Sequence, residues 1–297
     1  MSTRTDPLRT TERSDRLHYA TGEMLGADDF QAEQTYHRRQ QALALLYLHG
    51  RGTVAGLTVG VLPIPGAGGG PDEVELFVEP GLAIDGAGRL IEVPRRASLR
   101  LRRWYEFIAS IAADNVADDA TDLRAAFRAD PNFAPLGVVV ADVFLSFHAC
   151  DRGLTPAFAS GPFDALNATQ PSRVRDGYDL TLILRDGALA LPDAFDYYAG
   201  VASVADVRGR IAGAYTALTP PRAINPAQPM NEIPAGFDPT AVLLARLRIP
   251  ANAANPPVAP TPNFSPARWA VPANNLSNDV RRWVVPPAAL IHFAPVV

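Results

Sequence analysis

The chain has 297 residues, 47% of them hydrophobic, which fits a globular protein with a real core and excludes disorder throughout. Its formal net charge of −4 excludes a global basic field that would draw it to nucleic acid or anionic lipid. There is no lysine and one cysteine, Cys150, so Arg and His make every cationic contact, and neither an internal disulfide nor a Cys-based zinc cluster can form.

Residues 1–25 read as an extended N-terminal arm. The stretch Met1–Asp15 is polar, with Arg4, Arg9 and Arg13. It lacks the apolar centre of a secretory signal, so assembly in the cytoplasm is expected. No stretch reaches the roughly 18 apolar residues that span a bilayer. Residues 26–50 predict a helix. Asp28 is its expected N-cap with Gln31 as capping-box partner, and Gly50 its stop. Its first half is strongly polar (Glu33, Gln34, His37, Arg38, Arg39, Gln40, Gln41) and its second half apolar (Leu43, Leu45, Leu46, Leu48). Tyr36, Gln40, Leu43 and Tyr47 share one face. One end should enter the body while the other projects towards solvent or a partner.

Strands follow. Gly52–Ile64 is short and β-branched, and Val74–Glu79 alternates. Leu82–Val93 reads as a hairpin around Asp85-Gly86-Ala87-Gly88, since Asp-Gly favours a tight two-strand reversal. Leu99 and Leu101 continue the β pattern. Trp104–Asn115 and Thr121–Ala129 predict two short helices, the second capped by Thr121. Leu136–Phe147 is the clearest strand, with Val139, Ala141, Val143, Leu145 and Phe147 on one wholly apolar face. Tyr178–Leu184 and Val242–Ile249 alternate likewise. In the latter, Leu243, Ala245, Leu247 and Ile249 should face a core, and Arg246 and Arg248 should face out. Asp193–Leu218 has helical character, and Val280–Val285 predicts a short strand carrying Trp283.

Proline is abundant, 28 residues, and clusters with Gly and Asn at Pro63–Pro71, Thr219–Pro239 and Pro250–Asn278. Lacking an N–H donor, it cannot continue helices or central strands there, so long surface loops are expected. The resulting fold class is α+β: an N-terminal helix leading into an antiparallel β-rich core with long Pro-rich loops. Residues 51–249 form the core with helical insertions, and 250–297 a Pro/Asn-rich C-terminal arm.

Chemistry-bearing patterns are sparse. The histidines His18, His37, His49, His148 and His292 share no metal-ligand spacing, so neither a metal nor a cofactor is expected. Gly66–Gly70 is followed by Pro71-Asp72-Glu73 and not by the lysine and helix of a phosphate cradle, and it reads as a hairpin tip. Ser160 lacks the frame of a nucleophile elbow. The pairs Asp28/Asp29 and Asp118/Asp119 sit in a helix cap and a charged loop. His148 and Cys150 point to one side of a strand while Asp151 points to the other. They are the one candidate for a thiol hydrolase site.

An ordered set of motifs adds to this. It runs Arg16-Leu17-His18-Tyr19-Ala20-Thr21-Gly22-Glu23-Met24-Leu25, then Asp28-Asp29-Phe30, Glu33-Gln34, Tyr36-His37-Arg38 and His49-Gly50-Arg51-Gly52-Thr53-Val54-Ala55-Gly56-Leu57-Thr58-Val59. It resembles a family of uncharacterised proteins associated with phage-tail-like contractile injection systems. Pro80–Asp85 with Gly88, Arg89 and Ile91, then Phe147–Asp151, Ser172–Asp176 and Leu244–Leu247, resemble its later signatures. Thr53 and Met24 depart from the family's usual Val and Leu. The resemblance covers about Arg16 to Ile249 and carries no catalytic residues. It implies membership of a contractile particle without fixing which part, and the expected role is a non-enzymatic structural or adaptor subunit at the cap or baseplate periphery, present in several copies and released, if at all, as part of the particle. Its partners would be sheath, tube, cap or baseplate proteins, with no nucleic acid. The interface expected on the helix is Phe30, Glu33, Gln34, Tyr36, His37, Arg38 and Tyr47, since aromatic and Arg residues are enriched at interfaces. The alternatives are a carbohydrate- or surface-binding fibre-like module using Trp269 and Trp283, and a hydrolase at His148/Cys150.

Overall fold

The computed structural model describes residues 6–9, 15–114, 123–156, 169–185, 232–234, 236–253 and 259–284. The fold is α+β, and the described residues form one long N-terminal helix and three antiparallel sheets. Helix α1 spans Ala27–His49. Its N-cap lies two residues earlier than the expected Asp28: Gly26 is the N-cap, and the Gly26 N–H donates to Asp29 Oδ2 at 2.7 Å. Asp28 is left exposed because Asp29, at the third helical position, is the side chain that reaches back. Gly50 ends the helix in a positive-φ conformation, its N–H donating to Leu46 O at 3.0 Å.

The β-branched run after the helix is two strands, β1 (Gly52–Gly56) and β2 (Val59–Ile64), in different sheets. The break falls at Leu57, which has φ 56°. Strand β3 (Glu73–Val78) pairs with β2 across the Gly-rich tip, and β6 (Ala97–Arg100) completes that sheet. Between them, β4 (Gly81–Ile84) and β5 (Leu90–Val93) form the hairpin expected from Asp85-Gly86, and β1 pairs with β4.

Leu101 is not a strand residue. It opens α2 (Leu101–Asp114), in which Leu101, Trp104, Tyr105 and Ile108 recur at helical spacing against the core. The helix expected over Thr121–Ala129 is corrected at its end: Phe127–Ala129 is strand β7, paired with the long central strand β8 (Gly137–Pro156). Thr121 and the helix expected over Asp193–Leu218 lie outside the described residues.

Strand β8 also pairs with β9 (Thr169–Leu184) and β10 (Val242–Asn252). Its apolar face, Val139, Ala141, Val143 and Leu145, joins Val59, Val61, Val74 and Leu76 in one core, so the β2–β3–β6 and β8–β10 sheets pack on each other. Its other face is buried too, with Phe144 against Leu243, Val280 and Phe237. A register shift between Leu243 and Ala245 explains how β10 serves both faces: Leu243 turns to Phe144, whereas Leu244 and Ala245 both enter the main core. Arg246 does not face solvent. It lies directly across from Asp142, and the two form a two-point ion pair at 2.7 and 2.9 Å.

The described part of the C-terminal segment is not an arm. Strands β11 (Thr261–Pro262) and β12 (Leu276–Ser277) pair with β10, and a one-turn helix α3 (Pro272–Asn275) lies between them. Trp269 is 1% exposed and stacks on Phe264. Prolines here break helices but not packing, because β10 offers its edge to short extended pieces. The strand expected over Val280–Val285 reduces to a single bridge, Thr53 to Trp283.

Candidate functional site

Helix α1 has the composition of a contact element, and its buried side chains lie towards one end. A 23-residue helix is about 35 Å long, yet only Ala42 and Leu46 are buried. The carbonyl of Ala42 rests on the turn of the β4–β5 hairpin, where a Cβ on Gly88 would come within 2.1 Å of it. Gly88 has φ +80°, so both its backbone angle and its neighbour call for glycine.

Beneath this seat lies a buried polar node. Asp85 accepts hydrogen bonds from the N–H groups of Ala87 (2.9 Å) and Arg89 (2.8 Å) and an ion pair from the Arg89 guanidinium (2.6 Å). Arg89 also donates to Asp6 (3.0 Å) and Thr240 (2.9 Å) and stacks over Phe147 at 4.4 Å. Arg38 of α1 reaches the same Asp6 carboxylate at 3.3 Å. The hairpin, the segment at residues 6–9, α1 and the β10 approach therefore meet at one arginine. Burial pushes the Asp85 carboxyl up from its ordinary value, partly offset by Arg89 beside it. Asp6 and Leu8 are buried, so this part of the expected arm is tucked into the body.

The other end of α1 has no buried side chain. Residues 15–25 return along it. The Tyr19 hydroxyl donates to Glu33, and that carboxylate holds the phenol above its ordinary pKa. Glu33 also sits 3.9 Å from His37 one turn on, and His37 meets Tyr36 edge-on. An open cleft of about 480 Å³ lies between residues 15–23 and the first turns, bordered by Asp15, Arg16, His18, Glu23 and Asp29.

Phe30 is 49% exposed and Met24 94% exposed at this end. Gln34 and His37 are exposed, and Glu33, Tyr36 and Tyr47 half-buried. Phe30, Glu33, Gln34, Tyr36 and His37 lie in the N-terminal half of the helix, and Tyr47 follows the buried Leu46 in the C-terminal half. Arg38 is different: its guanidinium is turned to Asp6 and fastens the helix.

The alternative sites are placed as follows. Trp269 is buried, its indole N–H donating to Asn263 O at 3.1 Å, so it cannot form a sugar platform with Trp283. His148 and Cys150 are half-buried on β8, opposite Gly177 and Arg175 of β9. Among the described residues, no carboxylate side chain hydrogen-bonds to either, and no group of His, Cys, Asp and Glu is placed to hold a metal. His18, His37 and His49 are exposed and apart, and His292 and Asp118/Asp119 fall outside the described residues. No described helix is long and apolar enough to cross a membrane.

Two further polar clusters join the body and were not apparent from the sequence. Asp142, fully buried, pairs with Arg185 (2.8 Å) as well as Arg246, and Arg185 reaches Glu232 O, whose side chain pairs with Arg282. Burial lowers Arg185 from its ordinary pKa, partly offset by Asp142. Arg281 is fully buried, donates to Leu57 O at 2.8 Å, and burial brings its pKa down to about 10. Asn278 brackets Val59 with two hydrogen bonds of 3.0 Å. Together they clamp the segment at 278–284 onto the break between β1 and β2. Compared with known proteins, the sequence matches no family model and no curated protein.

Proposed function

We propose that the chain is a non-enzymatic structural or adaptor subunit of a phage-tail-like contractile injection system, seated at the cap or the baseplate periphery. It works by docking α1 onto a neighbouring subunit. One observation carries this reading: the buried side chains of α1 lie in its C-terminal half, while its N-terminal half carries the exposed Phe30 among polar side chains, with exposed Met24 just before the helix. A helix that buries so little on its own body is stabilised best when a second surface covers it. The ordered motif from Arg16 to Val59 supports the choice of particle, because its residues build α1, its return strap and its junction with β1.

The test uses variants on the exposed half. Phe30→Ala and Tyr36→Ala should leave a folded protein with a melting temperature near wild type, since neither side chain is in the core. Both should fail to co-purify with particles when expressed beside sheath and tube proteins. Incorporation of both variants at the wild-type level would end the docking reading.

A further inference from the structure

Strands β8 and β9 continue as a two-stranded ribbon well past the sheet. Pairing with β10 stops at Leu145, whereas pairing with β9 runs on to Pro156↔Thr169. That is an overhang on the order of 30 Å; its first part packs Phe147 and Tyr178 against the core, and only beyond Asp151 is it a lone two-stranded ribbon, marginal in water. From Arg152 to Pro156 and from Pro171 to Asp176 the described side chains are exposed.

Towards its tip, charge is sorted between the two faces of this ribbon; nearer the sheet Asp179 shares the arginine face, four residues from Arg175. Arg152 lies directly across from Arg173, and Arg175 follows Arg173 two residues on, so all three guanidiniums share one face. Like charges directly opposite repel. Among the described residues none of the three makes an ion pair. Further along the same face Leu154 lies across from Pro171 and is 76% exposed. Edge arginines also discourage two such ribbons from pairing with each other. The face therefore fits an acidic surface that carries apolar contacts.

The molecule bears such a surface at the open end of α1. Among the described residues Asp15, Glu23 and Asp28 are exposed there against one exposed arginine, Arg16, beside the exposed Met24 and Phe30. The helix dipole accounts for an acid at position 28, but not for those at 15 and 23, which precede the helix.

We propose that the arginine face of the β8–β9 ribbon docks on the N-terminal end of α1 in a second copy of this chain. The contact is heterologous, ribbon to helix, so a docked pair keeps one free ribbon and one free helix, and copies can follow one another in a ring or row. The patch is small, which makes the contact weak in solution and sensitive to salt. The inference deepens the proposed role by naming one partner for α1, and it rests on α1 being a docking element.

Sedimentation of the purified full chain at rising concentration, at low and high sodium chloride, tests it. Self-association at low salt that dissolves at high salt is expected. The double variants Arg152→Glu/Arg173→Glu and Glu23→Arg/Asp28→Arg should each weaken association at least roughly tenfold. An equimolar mixture of the two should restore it, because the reversed ribbon then meets the reversed helix. A chain that stays monomeric in low salt, variants that associate as wild type, or a mixture that stays monomeric would each overturn the proposal. If self-association is absent and Phe30→Ala still blocks particle incorporation, this inference fails and the docking role stands.

Discussion

Arg89 gathers more of the fold than any other single side chain described above. Its guanidinium touches Asp85, Asp6 and Thr240 and covers the ring of Phe147. A lysine has the charge but not the planar fork, and cannot serve three acceptors in these directions. Arg89→Lys should therefore cost about 3 kcal/mol or more in urea unfolding, the scale for leaving buried partners unmatched. Asp85 and Arg89 were legible as a turn pair because Asp-Gly announces the hairpin. Their partners were not, since Asp6 and Thr240 stand 83 and 151 residues away in sequence, and no local pattern encodes such a meeting. Tyr105 offers a second test. Its hydroxyl donates to Pro260 O at 2.6 Å, and burial pushes its pKa up. The folded state thus keeps a proton that the unfolded chain releases above about pH 10, and stability falls as pH rises beyond that value. Tyr105→Phe should lose about 1 kcal/mol at neutral pH and show a shallower decline between pH 9 and pH 11; parallel pH profiles for the two proteins would refute the assignment.

Among elements, α1 and β8 behave differently from what their periodicity alone implies. The helix was readable from Gly50, its polar first half and its apolar second half. Its anchoring face was less so: Arg38, Ala42 and Leu46 point inward, whereas the readable stripe of Tyr36, Gln40, Leu43 and Tyr47 lies along the flank. The reason is the hairpin turn below, which accepts a backbone surface at Ala42 and so favours a small residue over a large apolar one. Gly88→Ala should lift this seat, since its new methyl would meet the Ala42 carbonyl. Hydrogen exchange across residues 38–46 should accelerate in that variant while the β8–β10 amides remain protected. Unchanged exchange in α1 would show that the helix is held elsewhere. Strand β8 was recognisable as far as Phe147; the extension to Pro156 was not, because exposed Arg, Gly and Pro are poor strand signals. The partner strand, not local propensity, extends it.

At the level of the whole molecule, the three sheets of the described residues all line the main apolar core, and arginine-centred clusters tie the later chain to the earlier one. The fold class was legible because alternating strands and Asp-Gly turns survive in any context. The fate of the C-terminal segment was obscured by its prolines, which read as a loose arm. Yet Trp269 is buried, Pro260 O receives the Tyr105 hydroxyl, and Arg281 holds Leu57. Ending the chain after Asn252 should therefore abolish cooperative unfolding instead of trimming a surface. A truncated chain with a sharp melting transition near wild type would contradict this packing.

The single cysteine sits at the root of the ribbon, half-buried on the face that carries Arg175. Thiol-directed dyes and spin labels will consequently attach at one place only, with no substitution needed to install or to remove a site. The wild-type chain so carries its own reporter beside the basic face, and a change in label mobility can be followed as neighbours are added one at a time.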